Sequence, residues 1–262
     1  EDRNQVGADE QDLPIRIYRP EGVQSPAPVT VFFHGGGWVV GGLVSHDAEC
    51  RAIANETKTV LIAVDYRLAP EHPFPAAPED CYTALCQIVD LSGELNIDTE
   101  RLAVMGDSAG GNLATVVCLM SRDRGGPKIC HQLLIYPACD MDPERWPSTK
   151  ENASGYLLTD EMMRWFYRHY VGAEIFVDEP YASPIRANDL SGLPSAQIIT
   201  AEFDPLRDEG EGYAQALSDA GVPTYYECVP GLIHGFLGFA EMIPEAKEAR
   251  NAACQRLVAA LG

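Results

Sequence analysis

Apolar residues in this chain fall into short unbroken runs separated by amphipathic stretches, and that alternation sets the expected fold. Val29-Thr30-Val31-Phe32-Phe33, Thr59 to Val64, Arg101 to Met105, Gln132 to Tyr136 and Ala196 to Thr200 are short and rich in β-branched residues. They read as strands buried on both faces. Leu13 to Arg19 alternates apolar and polar residues, the mark of a half-exposed strand, and Thr224 to Val229 reads as a further strand. Helical spacing falls between them: His46 to Glu56, Asp80 to Val89, Gly111 to Met120, Glu209 to Ala220 closed by Gly221, and Pro244 to Leu261. Strands alternating with helices predict an α/β fold, a mostly parallel central sheet covered by helices on both faces.

One stretch breaks the rhythm. Residues 140–189 are polar and proline-punctuated, with a helix predicted from Thr159 to Tyr170 that carries Met162, Met163, Trp165, Phe166 and Tyr170. An insertion this long exceeds a simple connection between core strands. Its aromatic and methionine content suits a partial helical cap over an apolar pocket, inserted into a single domain spanning 1–262.

Composition narrows the function. A net charge of −20 sets the surface against a phosphate backbone, so no nucleic-acid partner is expected. It also opposes anionic lipid, and no apolar run approaches the length of a membrane span, so no stable membrane association is expected. The eight cysteines include no C-x-x-C pair and no Cys/His cluster with zinc spacing. Several fall on predicted core elements, so reduced thiols in a cytoplasmic protein are expected.

The chemistry centres on Gly106-Asp107-Ser108-Ala109-Gly110, with a strand leading in and a buried helix leading out. In this G-x-S-x-G pattern a sharp strand-to-helix turn exposes the serine at the sheet edge, as in the nucleophile elbow of α/β-hydrolases. Ser108 then needs a base and the base an orienting carboxylate, in the chain order Ser, acid, His. Three histidines lie downstream. His131 opens a core strand and His169 sits in the predicted cap helix. His234 falls in a loop between the last strand and the terminal helix, where a base can enter from the sheet's carboxyl edge. The segment after the Ala196–Thr200 strand offers Glu202, Asp204 and Asp208. Asp204 is best placed because Pro205 fixes the turn after it, Glu202 is the fallback, and Asp208 reads as the N-cap of the next helix. His34-Gly35-Gly36-Gly37-Trp38 follows the Val29–Phe33 strand and supplies backbone donors free of side chains, with Ala109 adding another N–H for an oxyanion.

These motifs, with Asp65-Tyr66-Arg67-Leu68-Ala69-Pro70-Glu71, Asp204 to Gly210 and His234-Gly235-Phe236, resemble those of the bacterial hormone-sensitive-lipase-like (family IV) carboxylesterases in order and spacing over nearly the whole chain. The resemblance implies an α/β-hydrolase fold and a triad of Ser108, Asp204 and His234. It further implies an oxyanion hole of Gly36, Gly37 and Ala109, and a loop-shaping rather than catalytic His34. The implied activity is hydrolysis of short- to medium-chain acyl esters of small molecules, without metal or organic cofactor. Amidases, formamidases and arylacetamide deacetylase-like enzymes use the same loop and elbow. Plant gibberellin receptors share the fold but lack the histidine that His234 supplies here. The resemblance also implies a homodimer through Thr224–Val229 and Pro244–Leu261. Members usually carry an N-terminal helical segment completing the cap; this sequence opens almost at its first sheet strand, so that segment is expected to be absent from it.

Overall fold

The computed structural model describes residues 1–172 and 178–262. The strands are β1 (Asp2–Val6), β2 (Asp12–Tyr18), β3 (Ala27–Phe33), β4 (Val60–Val64), β5 (Ile97–Asp107), β6 (His131–Ile135), β7 (Ser195–Phe203) and β8 (Thr224–Ile233). The helices are α1 (Asp47–Thr57), α2 (Ala76–Asp90), α3 (Ser92–Leu95), α4 (Ala109–Arg124), α5 (Pro147–Glu151), α6 (Asp160–Tyr170), α7 (Arg207–Asp219) and α8 (Pro244–Leu261). The strands form one sheet in the order β1-β2-β4-β3-β5-β6-β7-β8. β1 and β2 are antiparallel to their neighbours and β4 through β8 run parallel.

Side chains alternate across the parallel strands and build two cores. Val29, Val31, Phe33, Val104 and Leu134 pack toward α2, α4 and α7. Phe32, Ala103, Met105, Leu133 and Ile135 pack toward α1 and α8. Burial on both faces explains why these strands read as continuous apolar runs rather than alternating ones. The polar β1 carries no strand pattern in its sequence: four of its five residues are at least partly exposed, and it is held at the sheet edge by pairing with β2.

Topology places the site. From β3 the chain crosses to β4 on one side and then returns to β5 on the other, so the loops after β3 and β5 diverge from adjacent strand ends. Open α/β sheets bind ligands at such a switch point, beyond the carboxyl ends of the strands. Register does the rest. Phe33 pairs with Gly106, which sets His34 beside the elbow, and Phe203 pairs with Ile233, which sets Asp204 beside His234.

The stretch between β6 and β7 carries α5 and α6, and residues 173–177 of the expected insertion lie outside the described residues. Its base is pinned by Asp140, which is fully buried and pairs with Arg145 at 3.1 Å and Arg186 at 2.9 Å. α6 starts with Thr159, whose hydroxyl accepts the Met162 N–H at 3.2 Å, and it turns Met163, Tyr167 and Tyr170 inward. All eight cysteines are free thiols. Among the described residues, no helix is long and apolar enough to cross a membrane.

Candidate active site

Ser108 sits between β5 and α4 with φ 55° and ψ −120°, a conformation that a non-glycine residue rarely adopts and that the surroundings must enforce. Backbone bonds do so: Ser108 N donates to Ile135 O at 2.8 Å, and Ser108 O accepts from Asn112 N at 3.1 Å. Glycine is required close by. A Cβ on Gly110 would lie 2.0 Å from Phe33 O and 2.6 Å from His34 O, both backbone atoms that cannot swing away. Gly110→Ala is therefore expected to cost about 3 kcal/mol, read as a lower urea midpoint at unchanged slope.

Ser108 Oγ lies 3.0 Å from His234 Nε2, and His234 Nδ1 lies 2.7 Å from Asp204 Oδ2. The remaining Asp204 oxygen accepts the Leu206 N–H at 2.9 Å. Asp204 is wholly buried and His234 is 8% exposed. The other candidates lie elsewhere. Glu202 accepts the Gly231 N–H at 2.7 Å and does not reach the histidine. His131 bonds Ser195 Oγ at 2.8 Å, and His169 packs against Trp165 on α6. Asp208 is not the helix cap: Leu206 holds that position, and the Asp208 carboxylate takes the Ser148 N–H at 2.8 Å, joining α5 to α7.

The glycine loop after β3 folds over the elbow. Gly36 adopts φ 123°, and its carbonyl accepts the N–H groups of Val39 and Val40, closing a turn that directs the loop past Ser108. Among the described residues no acceptor takes the N–H of Gly36, Gly37 or Ala109, which leaves three donors near the serine. His34 shapes the loop: it is buried and stacks on Tyr66 at 4.3 Å, while Tyr66 Oη donates to His34 O at 2.6 Å. Burial pushes its imidazole down to about 4, so it is neutral at neutral pH. Behind it, Arg67 pairs with the fully buried Asp80 at 2.8 Å, anchoring the segment that carries Tyr66.

A cavity of about 380 Å³ opens in front of Ser108. Gly36, Gly37 and His234 line it, with Leu158, Met163, Phe166 and Tyr167 from the stretch between β6 and β7. Phe166 lies against Gly37, where an added Cβ would sit 2.3 Å from the ring. Among the described residues no lysine or arginine lines the cavity, so it suits an uncharged ligand.

A family profile described as the alpha/beta hydrolase fold matches residues 30–238. The chain belongs to the α/β-hydrolase family. Within that family it is a hormone-sensitive-lipase-like member. It is 43% identical over 253 residues to the carboxylesterase NlhH of Mycobacterium tuberculosis, covering 95% of this chain and 79% of that protein. The ethyl acetate hydrolase of Pseudomonas putida is 39% identical over 246 residues, 92% of this chain and 76% of that protein. The hyperthermophilic esterase of the archaeon Pyrobaculum calidifontis superposes with a TM-score of 0.95 at 43% identity, over 100% of this chain and 84% of that one.

The sequence does not mark some residues for the places they hold in the site. Tyr136 follows β6 at φ 36° with its ring 4.7 Å from the His234 ring, and Asn152 donates to Asp204 O at 3.2 Å. His46 lines the cavity, yet reads in the sequence only as the start of a helix.

Proposed function

We propose that this α/β-hydrolase is a serine carboxylesterase for uncharged small-molecule esters of short to medium acyl chain. The observation that carries the reading is the unbroken series Ser108–His234–Asp204 at 3.0 and 2.7 Å, opening on an apolar cavity. Ser108 Oγ attacks the ester carbonyl carbon as His234 Nε2 takes its proton, and Asp204 holds the imidazolium through Nδ1. The N–H groups of Gly36, Gly37 and Ala109 receive the oxyanion, each contributing on the order of 3 kcal/mol. Collapse of the tetrahedral species expels the alcohol, which takes the proton from His234. Water then adds to the acyl-enzyme by the same route and releases the acid. The named carboxylesterase and ethyl acetate hydrolase relatives support this chemistry.

A p-nitrophenyl ester series of rising acyl length tests it, with the matched p-nitroanilide as comparison. Short acyl esters should turn over fastest and the anilide far more slowly. A rate on the anilide equal to that on the ester would redirect the reading to an amidase. Phe166→Ala enlarges the cavity beside Gly37, so the octanoate-to-butyrate ratio of kcat/KM should rise by roughly 10-fold, the worth of about one methylene in an apolar pocket.

A further inference from the structure

Asp107, next to the serine, performs a second task through its carboxylate. Oδ1 accepts the Gly35 N–H at 2.8 Å, tying the glycine loop to the end of β5. The same oxygen lies 3.6 Å from His46 Nε2, an ion-pair rather than a hydrogen-bond distance. The proton count on His46 follows from its other side. Ser45 Oγ lies 3.0 Å from Gly42 O and 2.9 Å from His46 Nδ1. A carbonyl oxygen can only accept, so both contacts are satisfied when the single hydroxyl hydrogen goes to Gly42 and the serine oxygen accepts from Nδ1–H. Nε2 faces a carboxylate, also an acceptor. The charge of that carboxylate favours a hydrogen on Nε2 as well as on Nδ1.

We propose that His46 is an imidazolium at neutral pH and a positioning residue for the reaction: it neutralises Asp107, which holds the glycine loop in place for the oxyanion. The assignment rests on the reading of Ser108 as the nucleophile and extends it. The Asp107 charge is one residue from Ser108 and sits directly on Gly35, which leads into Gly36 and Gly37. Left uncompensated and buried, that charge opposes the negative charge developing on the substrate oxygen, in a place where water screens little.

The electrostatics agree with the geometry. Burial pushes the Asp107 carboxyl up, but contact with His46, its charge and the Gly35 N–H outweigh burial and hold it below the usual range. Burial likewise pushes His46 down, but the approach and charge of Asp107, with Glu49, raise it above the ordinary histidine value. Other groups face this pair. The His34 ring, from the loop after β3, lies 5.4 Å from that of His46 and is kept neutral by burial. From α1 come the Glu49 carboxylate and the Cys50 thiol, which burial keeps protonated. The raised His46 contributes its stabilisation fully below the ordinary histidine pKa and loses it as pH rises through the raised value. The lowered Asp107 contributes above the ordinary carboxylate pKa and loses it as pH falls through the lowered one. The pair holds between those limits.

Imidazole nitrogen NMR on ¹⁵N-histidine-labelled protein tests the charge directly, with His46→Gln assigning the signal. The expected spectrum at pH 7 shows both His46 nitrogens protonated, titrating above the ordinary histidine value. A single neutral tautomer at pH 7 overturns the proposal, whatever the ester activity. The second arm is a kcat cycle on p-nitrophenyl butyrate. His46→Gln should lower kcat roughly 10- to 100-fold with little change in KM. Asp107→Asn added to that background should restore most of the loss, because the amide oxygen still accepts the Gly35 N–H while the charge is gone. Equal kcat in His46→Gln and the double variant, with an unchanged pH profile, also overturns it. Absence of ester turnover in the wild type beside a cationic His46 would strike the esterase reading alone and leave the charge pairing supported.

Discussion

Replacing Ser108 with alanine is expected to lower kcat on short acyl esters by on the order of 10⁶, with the fold intact. The size of the loss follows from the way the site is wired. His234 Nε2 meets Ser108 Oγ, so without that oxygen the base has no nucleophile to activate and Asp204 orients a histidine with no partner. What remains is binding in the cavity and the free N–H groups of the glycine loop, which together leave roughly 10³-fold over water. Misfolding should not confound the result. The backbone bonds at this residue, to Ile135 and from Asn112, do not involve the hydroxyl. Thermal melting of the variant should therefore match the parent within a few degrees. An intact fold with most of the activity retained would remove Ser108 from its role. An intact fold with activity lost in the variant and present in the parent supports it.

The parts of this architecture that the sequence disclosed are those set by local chemistry or by burial on both sheet faces. Val29–Phe33 and Gln132–Tyr136 are legible because a strand enclosed between two helix layers buries both faces and reads as a nearly continuous apolar run. The elbow is legible because Gly110 is required where α4 starts against the backbone of Phe33 and His34. The edge strand β1 escaped because its polar residues face solvent and only pairing with β2 defines it. Asp208 has the residue type of a cap, but α7 begins two residues earlier than a cap there requires, and its carboxylate is drawn to the Ser148 N–H instead. His46 escaped for a different reason. Its partner Asp107 is brought within reach by the pairing of β3 with β5, a contact across the sheet that no local spacing encodes.

Pro205 fixes the turn that favours Asp204 over Glu202 as the orienting carboxylate, and Asp204→Asn is expected to lower kcat by about 10⁴. The mechanism is tautomer control, and the structure fixes which way the amide must lie. One Asp204 oxygen accepts the Leu206 N–H at 2.9 Å and the other faces His234 Nδ1 at 2.7 Å. An asparagine keeps its oxygen on the Leu206 N–H, which turns its NH₂ group toward His234. Nδ1 must then accept, so the ring proton moves to Nε2 and points at Ser108. A histidine in that state cannot take the serine proton. Asp204 does not line the cavity, so KM should move little while kcat falls. Glu202→Gln is the matched comparison: that carboxylate accepts the Gly231 N–H and stays clear of the histidine, so kcat should remain within about 3-fold of the parent. A mild effect from Asp204→Asn beside a collapse from Glu202→Gln would move the orienting carboxylate to Glu202. The reverse pattern supports Asp204, because two neighbouring carboxylates at the end of one strand differ in function only through what each touches.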